Sequence, residues 1–298
     1  MRIGVAFPTT EIGTDPAAIR DFAQAAEELG YDHITIIDHV LQAGKPAGDD
    51  WRAYYSRDNM FHEPFVTLGF LAAVTERIGL ATAILILPQR PAVLVAKQAA
   101  ELDVLCKGRL RLGVGLGWNE LEFDALGQNF KNRGRRMVEQ VALMRRLWTE
   151  ELVTFEGEWH RIADSGINPL PVQRPIPVWV GAFAAPAIRR AAAVADGWFV
   201  NPRLDPDDTA ARSIEIFREA AAAAGRDPTG LGLDATIHLG NRGSQEWGAL
   251  VEGWKRLGVS HGTVRTMYSG FKTLDDHLEA LRSFRAACAA GSVRPPSS

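Results

Sequence analysis

Eight short apolar segments, each ending near a Gly, Pro, Asp or His and each followed by a helical pattern, run the length of this chain. They are Ile3 to Phe7, His33 to Ile37, Gly79 to Leu85, Leu110 to Gly115, Pro177 to Gly181, Trp198 to Val200, Leu233 to Leu239 and Thr263 to Arg265. Most are unbroken runs of Ile, Val, Leu and Ala rather than alternations, the pattern of parallel strands buried on both faces. Amphipathic stretches lie between them, among them Pro16 to Leu29, Pro91 to Cys106, Arg135 to Trp148, Pro186 to Val194, Thr209 to Ala224 and Leu274 to Ala287. Strand and helix alternating eight times in 298 residues predicts an α/β fold, a (β/α)8 TIM barrel. The competing arrangement, an open doubly wound sheet, usually begins with a G-x-G-x-x-G turn after the first strand. Here Phe7 runs into Pro8-Thr9-Thr10 instead.

A chain of this length with 46% hydrophobic residues can bury a large core, and the reading is one barrel domain over residues 1–290 with a loose tail at 291–298. The formal net charge of -3 gives no electrostatic reason to expect nucleic acid or an anionic membrane, so a small-molecule substrate is the expected partner. Two cysteines, Cys106 and Cys288, make neither a disulfide framework nor a zinc spacing. Met1 to Val5 leads directly into a strand pattern, and the longest apolar run, Ile78 to Pro88, is too short to span a bilayer as a helix. A soluble, cytoplasmic protein is expected. The seven His residues, at 33, 39, 62, 160, 238, 261 and 277, form no H-x-H or H-E-x-x-H, so no metal site is expected. No G-x-S-x-G nucleophile elbow occurs either.

Two insertions, after strands 2 and 4, depart from a minimal barrel. Val40 to His62 mixes Gly and Pro with Trp51, Tyr54, Tyr55 and Phe61, and reads either as a lid over the barrel mouth or as an excursion that packs on a neighbouring subunit. Glu150 to Pro175 contains a segment that reads as a β-hairpin turning at Glu156-Gly157.

Barrel chemistry is built at the C-terminal ends of the strands. Asp38-His39 stands at such an end, where an imidazole serves as general acid or base and a carboxylate orients it or contacts a ligand. A structural role, with Asp38 capping the loop and His39 paired with it, fits the same residues. Small residues Ala81 and Ala83 in strand three leave room for a flat ligand, or simply satisfy packing. Gly113, Gly115 and Gly117 followed by Trp118 either admit a ligand to the backbone or make a tight turn. After strand five, Gly181-Ala182-Phe183-Ala184-Ala185-Pro186 opens a helix whose free amides could receive a phosphate, or is a plain helix start.

Asp38-His39, Glu63-Pro64, Leu71 to Leu80, Leu87 to Pro91, Ala96-Lys97, Leu102-Asp103, Gly108-Arg109-Leu110, Leu112 to Trp118, Glu122-Phe123, Arg133 to Glu139, Pro175 to Gly181 and Asp196-Gly197-Trp198 form a series in order. Together they resemble the luciferase-like monooxygenase family, in particular its branch using the deazaflavin coenzyme F420. The resemblance covers residues from about 3 to 200. It implies a cofactor held over the barrel mouth and a bulged third strand with a non-prolyl cis peptide at Ala83-Ile84. By the same matching, Asp38, Ile86, Leu116 and Gly117 would line the ring and ribityl chain, while Gly181, Ala182, Phe183 and Ala184 would hold the phosphate.

His39 matches the acid or base of the family's sugar-phosphate dehydrogenases. Those enzymes place a Glu where this chain has Trp118, which points away from glucose 6-phosphate and towards an apolar or aromatic substrate. The function implied is F420-dependent hydride transfer to or from a small organic molecule, with His39 and Asp38 as catalytic residues. An FMN-dependent monooxygenase using oxygen and a non-catalytic flavin-binding or deazaflavin-binding relative are the alternatives. Members commonly form homodimers, and a homodimer is expected here.

Overall fold

The computed structural model describes residues 1–44, 55–240 and 242–291. It opens with β1 (Arg2–Ala6), α1 (Pro16–Glu28), β2 (His33–Ile36) and α2 (Pro64–Val74). The third barrel strand comes in two pieces, β3 (Gly79–Thr82) and β4 (Leu85–Ile86), followed by α3 (Ala92–Leu105) and β5 (Leu110–Gly115). Helices α4 (Glu120–Ala125) and α5 (Arg133–Thr149) and an antiparallel hairpin, β6 (Val153–Glu156) with β7 (Arg161–Ser165), precede β8 (Val178–Gly181). Then come α6 (Ala185–Val194), β9 (Gly197–Phe199), α7 (Asp208–Ala223), β10 (Gly232–His238), α8 (Ser244–Arg256), β11 (His261–Arg265) and α9 (Leu274–Gly291).

The barrel strands pair in parallel in the order β3-β2-β1-β11-β10-β9-β8-β5-β4, and β3 also pairs with β5, so the sheet closes on itself. The eight predicted segments are the eight barrel strands, with outer ends displaced by one or two residues. Only the third differs in kind. Leu80 faces Leu110 but Leu85 faces Val114, so this strand carries one more residue than its neighbour and bulges between the two pairs. The Ala83–Ile84 peptide bond inside the bulge is cis.

Polar side chains fix the helix ends that hydrogen bonding within a helix leaves open. Asp15 accepts the Ala17 N–H at 2.9 Å beside Pro16, and Glu63 accepts the Val66 N–H at 2.8 Å beside Pro64. Arg109 ties down the other end of α2. Its guanidinium donates to the carbonyls of Ala72, Thr75, Ile78 and Cys106 at 2.6–3.2 Å, joining helix end, turn and strand start.

The lower barrel interior is polar and filled. Arg111 pairs with Asp234 at 2.7 Å, Asp234 accepts from Thr263 at 2.8 Å, and Thr263 Oγ1 lies 3.0 Å from His33 Nε2. The Arg111 guanidinium lies 4.3 Å over the Trp179 ring. That indole in turn lies across Gly197 and Gly232, in space that a Cβ on either would need.

The two insertions behave differently. Residues 45–54, including Trp51 and Tyr54, lie outside the described residues, and with them most of the expected lid. The hairpin forms, with Gly157 to His160 between its strands, and belongs to the connection from α5 to β8 rather than to the loop leaving β5. Glu139 of α5 holds it, accepting the N–H groups of Glu158, Trp159 and His160 at 2.8–3.0 Å. Helix α9 runs to Gly291, one residue into the expected tail; residues 292–298 lie outside the described residues. No helix among the described residues is long and apolar enough to cross a membrane.

Candidate functional site

The bulge in the third strand determines what lies beside it. Strands β2 and β3 pair as far as Ile36 and Thr82, and Ala83 N–H still reaches the Ile36 carbonyl at 2.7 Å. Beyond that point the backbone ladder ends, and the Asp38 carboxylate takes the Ile86 N–H at 2.9 Å in place of a carbonyl. Its other oxygen accepts from Arg90 at 2.8 Å, and Arg90 also reaches Glu63 at 3.3 Å. Burial pushes the Asp38 carboxyl up, against the pull of Arg90 and the Ile86 N–H. Asp38 is 3% exposed with both oxygens engaged. Its carboxylate thus holds the bulge and Arg90, and in place of the expected pairing of Asp38 with His39 the imidazole has another partner.

That partner is Glu122, from the short helix α4. Its Oε2 lies 3.1 Å from His39 Nδ1, and its Oε1 accepts the N–H groups of Val40 and Leu41 at 2.8 and 3.1 Å. Gln89 Nε2 approaches Oε2 at 3.4 Å. Burial alone would raise this carboxyl, but the hydrogen bonds from His39, Leu41 and Val40 hold it below the usual carboxylate range. Around the imidazole stand Phe61, Tyr55 and Trp118, with ring centroids at 4.9, 5.2 and 5.7 Å and edge-on geometry. No hydrogen bond to Nε2 occurs among the described residues.

Next to this pair the bulge makes a ledge. The Ile84 side chain covers Gly115 and Gly181, with atoms 2.7 and 2.8 Å from where their Cβ atoms would be. These glycines therefore receive a protein side chain, where the sequence suggested a ligand meeting bare backbone at the strand-four glycines. Ala83, Ile84, Leu116 and Gly117 are each partly exposed beside the mouth, whereas Ile86 is buried and packs against Gly117. A flat ring fits the ledge, since its surface is aliphatic and its floor is closed by Ile84.

The loop after β8 supplies the other candidate contact. Trp198, buried under α7, donates its indole N–H to the Ala182 carbonyl at 2.8 Å. Ala182 is buried, Gly181 is partly exposed, and Phe183 and Ala184 are exposed. No side chain caps α6; Pro186 in its first turn has no N–H, and the N–H groups of Ala187 and Ile188 both donate to the Ala184 carbonyl, at 2.8 and 2.9 Å. His39, Ile84 and this loop lie at or near the ends of barrel strands, while Glu122, quoted in the sequence series, had been given no role. The available signal was an acidic residue sharing the buried phase of α4 with Phe123.

The closed parallel (β/α)8 barrel thus carries its bulged third strand, the His39–Glu122 pair and the start of α6 at the C-terminal ends of its strands. The chain belongs to the luciferase-like monooxygenase family, whose model matches residues 1–242. It is 35% identical over 234 residues to an uncharacterized protein of Mycobacterium tuberculosis, covering 76% of this chain and 80% of that relative. It is 34% identical over 229 residues to the F420-dependent glucose-6-phosphate dehydrogenase of Kineococcus radiotolerans, covering 75% of this chain and 63% of that protein. Among solved structures, an F420-dependent secondary alcohol dehydrogenase in complex with an F420-acetone adduct superposes with a TM-score of 0.79 at 18% identity, over 96% of this chain and 98% of that one. That last likeness is one of fold.

Proposed function

We propose that this protein is a coenzyme F420-dependent oxidoreductase that moves a hydride to or from a small organic substrate, with His39 exchanging the accompanying proton. The observation that carries this reading is the His39 imidazole, held by a buried carboxylate at Nδ1 and caged by Tyr55, Phe61 and Trp118 next to the Ile84 ledge. A deazaflavin bound there would supply the hydride donor or acceptor. Ala83, Ile84, Leu116 and Gly117 would bear its ring, with Asp38 and Ile86 shaping the wall behind them. The loop from Gly181 to Ala184 would take its phosphate, with the Trp198 bond keeping the Ala182 carbonyl turned inward. The aromatic cage favours an apolar or aromatic substrate over a sugar phosphate. The similarity to an F420-dependent dehydrogenase supports the cofactor, and the carboxylate-bound imidazole of His39 supports proton exchange.

Titrating the protein with F420 and, separately, with FMN while following cofactor fluorescence tests the reading. Binding of F420 with loss of turnover in His39→Ala, about 10²- to 10⁴-fold, is the expected result. Preference for FMN would move the function to monooxygenation, and binding of F420 without turnover of any alcohol, ketone or enone would leave a carrier.

The homodimer belongs to the same proposal. Val66, Phe70, Val93, Leu94 and Leu105 are exposed on α2 and α3, an apolar surface suited to a second copy. Sedimentation at two concentrations tests it, a monomer at both being the contrary result.

A further inference from the structure

We propose that Glu122 is the positioning residue of His39: it fixes the imidazole proton on Nδ1 and leaves Nε2 as the acceptor for the substrate's proton. The inference rests on the reading of His39 as the acid–base group, and goes beyond it in naming what sets the proton's place.

An ionised carboxylate only accepts hydrogen bonds. Glu122 is fully buried, and Val40 N–H and Leu41 N–H occupy Oε1, both obligate donors. Oε2 has Gln89 Nε2 on one side and His39 Nδ1 on the other. With an acceptor facing it, Nδ1 must carry the proton, and a neutral imidazole with Nδ1–H has a bare lone pair at Nε2. Asp38 does not compete for this role, because its oxygens serve Ile86 and Arg90. The Asn119 side chain donates to the Leu41 carbonyl at 3.3 Å, so the loop that carries His39 is bound to the segment that carries Glu122 from both sides.

A lone pair among three aromatic edges accepts a proton from a substrate hydroxyl. In oxidation, His39 Nε2 would take the O–H proton as the C–O bond becomes C=O, and a bound deazaflavin would supply the acceptor for the C–H hydrogen and its electron pair. In reduction, the imidazolium returns the proton to the carbonyl oxygen as the hydride arrives at carbon. Both directions balance with the deazaflavin as the only redox partner.

Glu122→Gln separates this role from simple packing. The amide is isosteric, but its oxygen is needed by the Val40 and Leu41 N–H groups, so its NH2 must face Nδ1. The imidazole proton then moves to Nε2, the wrong tautomer. The corresponding carboxylate-to-amide change in a serine-protease triad costs on the order of 10⁴-fold.

The experiment combines nitrogen-15 histidine NMR of the full chain, with and without F420, with turnover of 2-propanol, cyclohexanol and benzyl alcohol by wild type, Glu122→Gln, Glu122→Asp and His39→Ala. Expected are an Nδ1–H tautomer for neutral His39 in wild type, its inversion in Glu122→Gln, and a loss in kcat of about 10²-fold or more with KM and F420 affinity little changed. Glu122→Asp keeps an acceptor and should keep the tautomer and recover part of the rate. A wild-type Nε2–H tautomer, or an inverted tautomer with undiminished turnover, overturns the positioning role. Undiminished turnover in His39→Ala overturns the acid–base reading itself. If the Gln variant does not fold, the wild-type spectrum and the Asp variant still decide the matter.

Discussion

The Ile84 side chain fills the space that a Cβ on Gly115 would occupy, with its Cδ1 and Cγ1 atoms 2.7 Å from that position. Gly115→Ala must therefore push Ile84 towards the mouth. Overpacking of this kind costs roughly 1–3 kcal/mol, and the displaced side chain should also weaken F420 binding. Combining it with Ile84→Val, which removes a methyl group, should return part of both losses. Melting temperature and cofactor titration of the two single variants and the double variant measure the coupling; simple additivity would show that the two residues do not share one space.

Arg109, just before β5, joins the end of α2, the turn that follows it and the end of α3 through their carbonyl oxygens. Arg109→Ala is expected to destabilise the fold by about 2–4 kcal/mol, since hydrogen bonds from a charged donor contribute about 1.5–3 each and the carbonyls lose their partner. Arg109→Lys should recover only part, having no planar fork. Urea denaturation would expose the error if the alanine variant unfolded at the wild-type midpoint.

Stability should fall on the acid side for a reason located in the lower barrel. Burial and the nearby Arg111 hold His261 down to about 4 and lower His33 in the same way. The folded state keeps these imidazoles neutral, while the unfolded chain takes up protons near pH 6.5. Their contribution is thus complete above about pH 6.5 and is lost as pH falls from there towards 4. Denaturation midpoints across this window should drop, and His261→Gln should flatten the slope. An unchanged slope in that variant would take His261 out of the linkage.

Glu139 accepts three consecutive backbone N–H groups of the hairpin turn and faces His160 Nδ1 at 2.8 Å. Glu139→Ala leaves those groups without their acceptor. Hydrogen exchange of the Glu158, Trp159 and His160 amides should accelerate by at least tenfold while exchange in the barrel strands stays as it was. Equal protection in variant and wild type would mean that the turn stands by itself.

The barrel was legible because a strand covered on both faces must be apolar throughout, and such runs are easy to see in Leu110 to Gly115 or Leu233 to Leu239. The bulge was not, by residue pattern, because Ala83-Ile84-Leu85 is as apolar as the strand it interrupts; only the resemblance to a family pointed to it. Asp38 was visible as an acid at a strand end, but its work depends on the ladder failing at Ile86, which lies 48 residues away. Several pieces of the recognisable series turn out to hold structure together. Glu63 caps α2, Asp103 accepts from Gln173 at 2.7 and 2.8 Å, and Asp196 accepts the Val178 N–H at 2.8 Å. Glu122 was quoted in that series without a role, because its partner His39 sits 83 positions earlier and only the closed barrel brings them together.

The indole of Trp179, lying over Gly197 and Gly232 and under Arg111, packs the lower barrel as a seal. The groups that make the protein sensitive to acid sit under the seal, and those proposed to exchange protons with substrate sit above it. Acid tolerance and catalytic pH range are therefore separately adjustable properties, one tuned from below and the other from above.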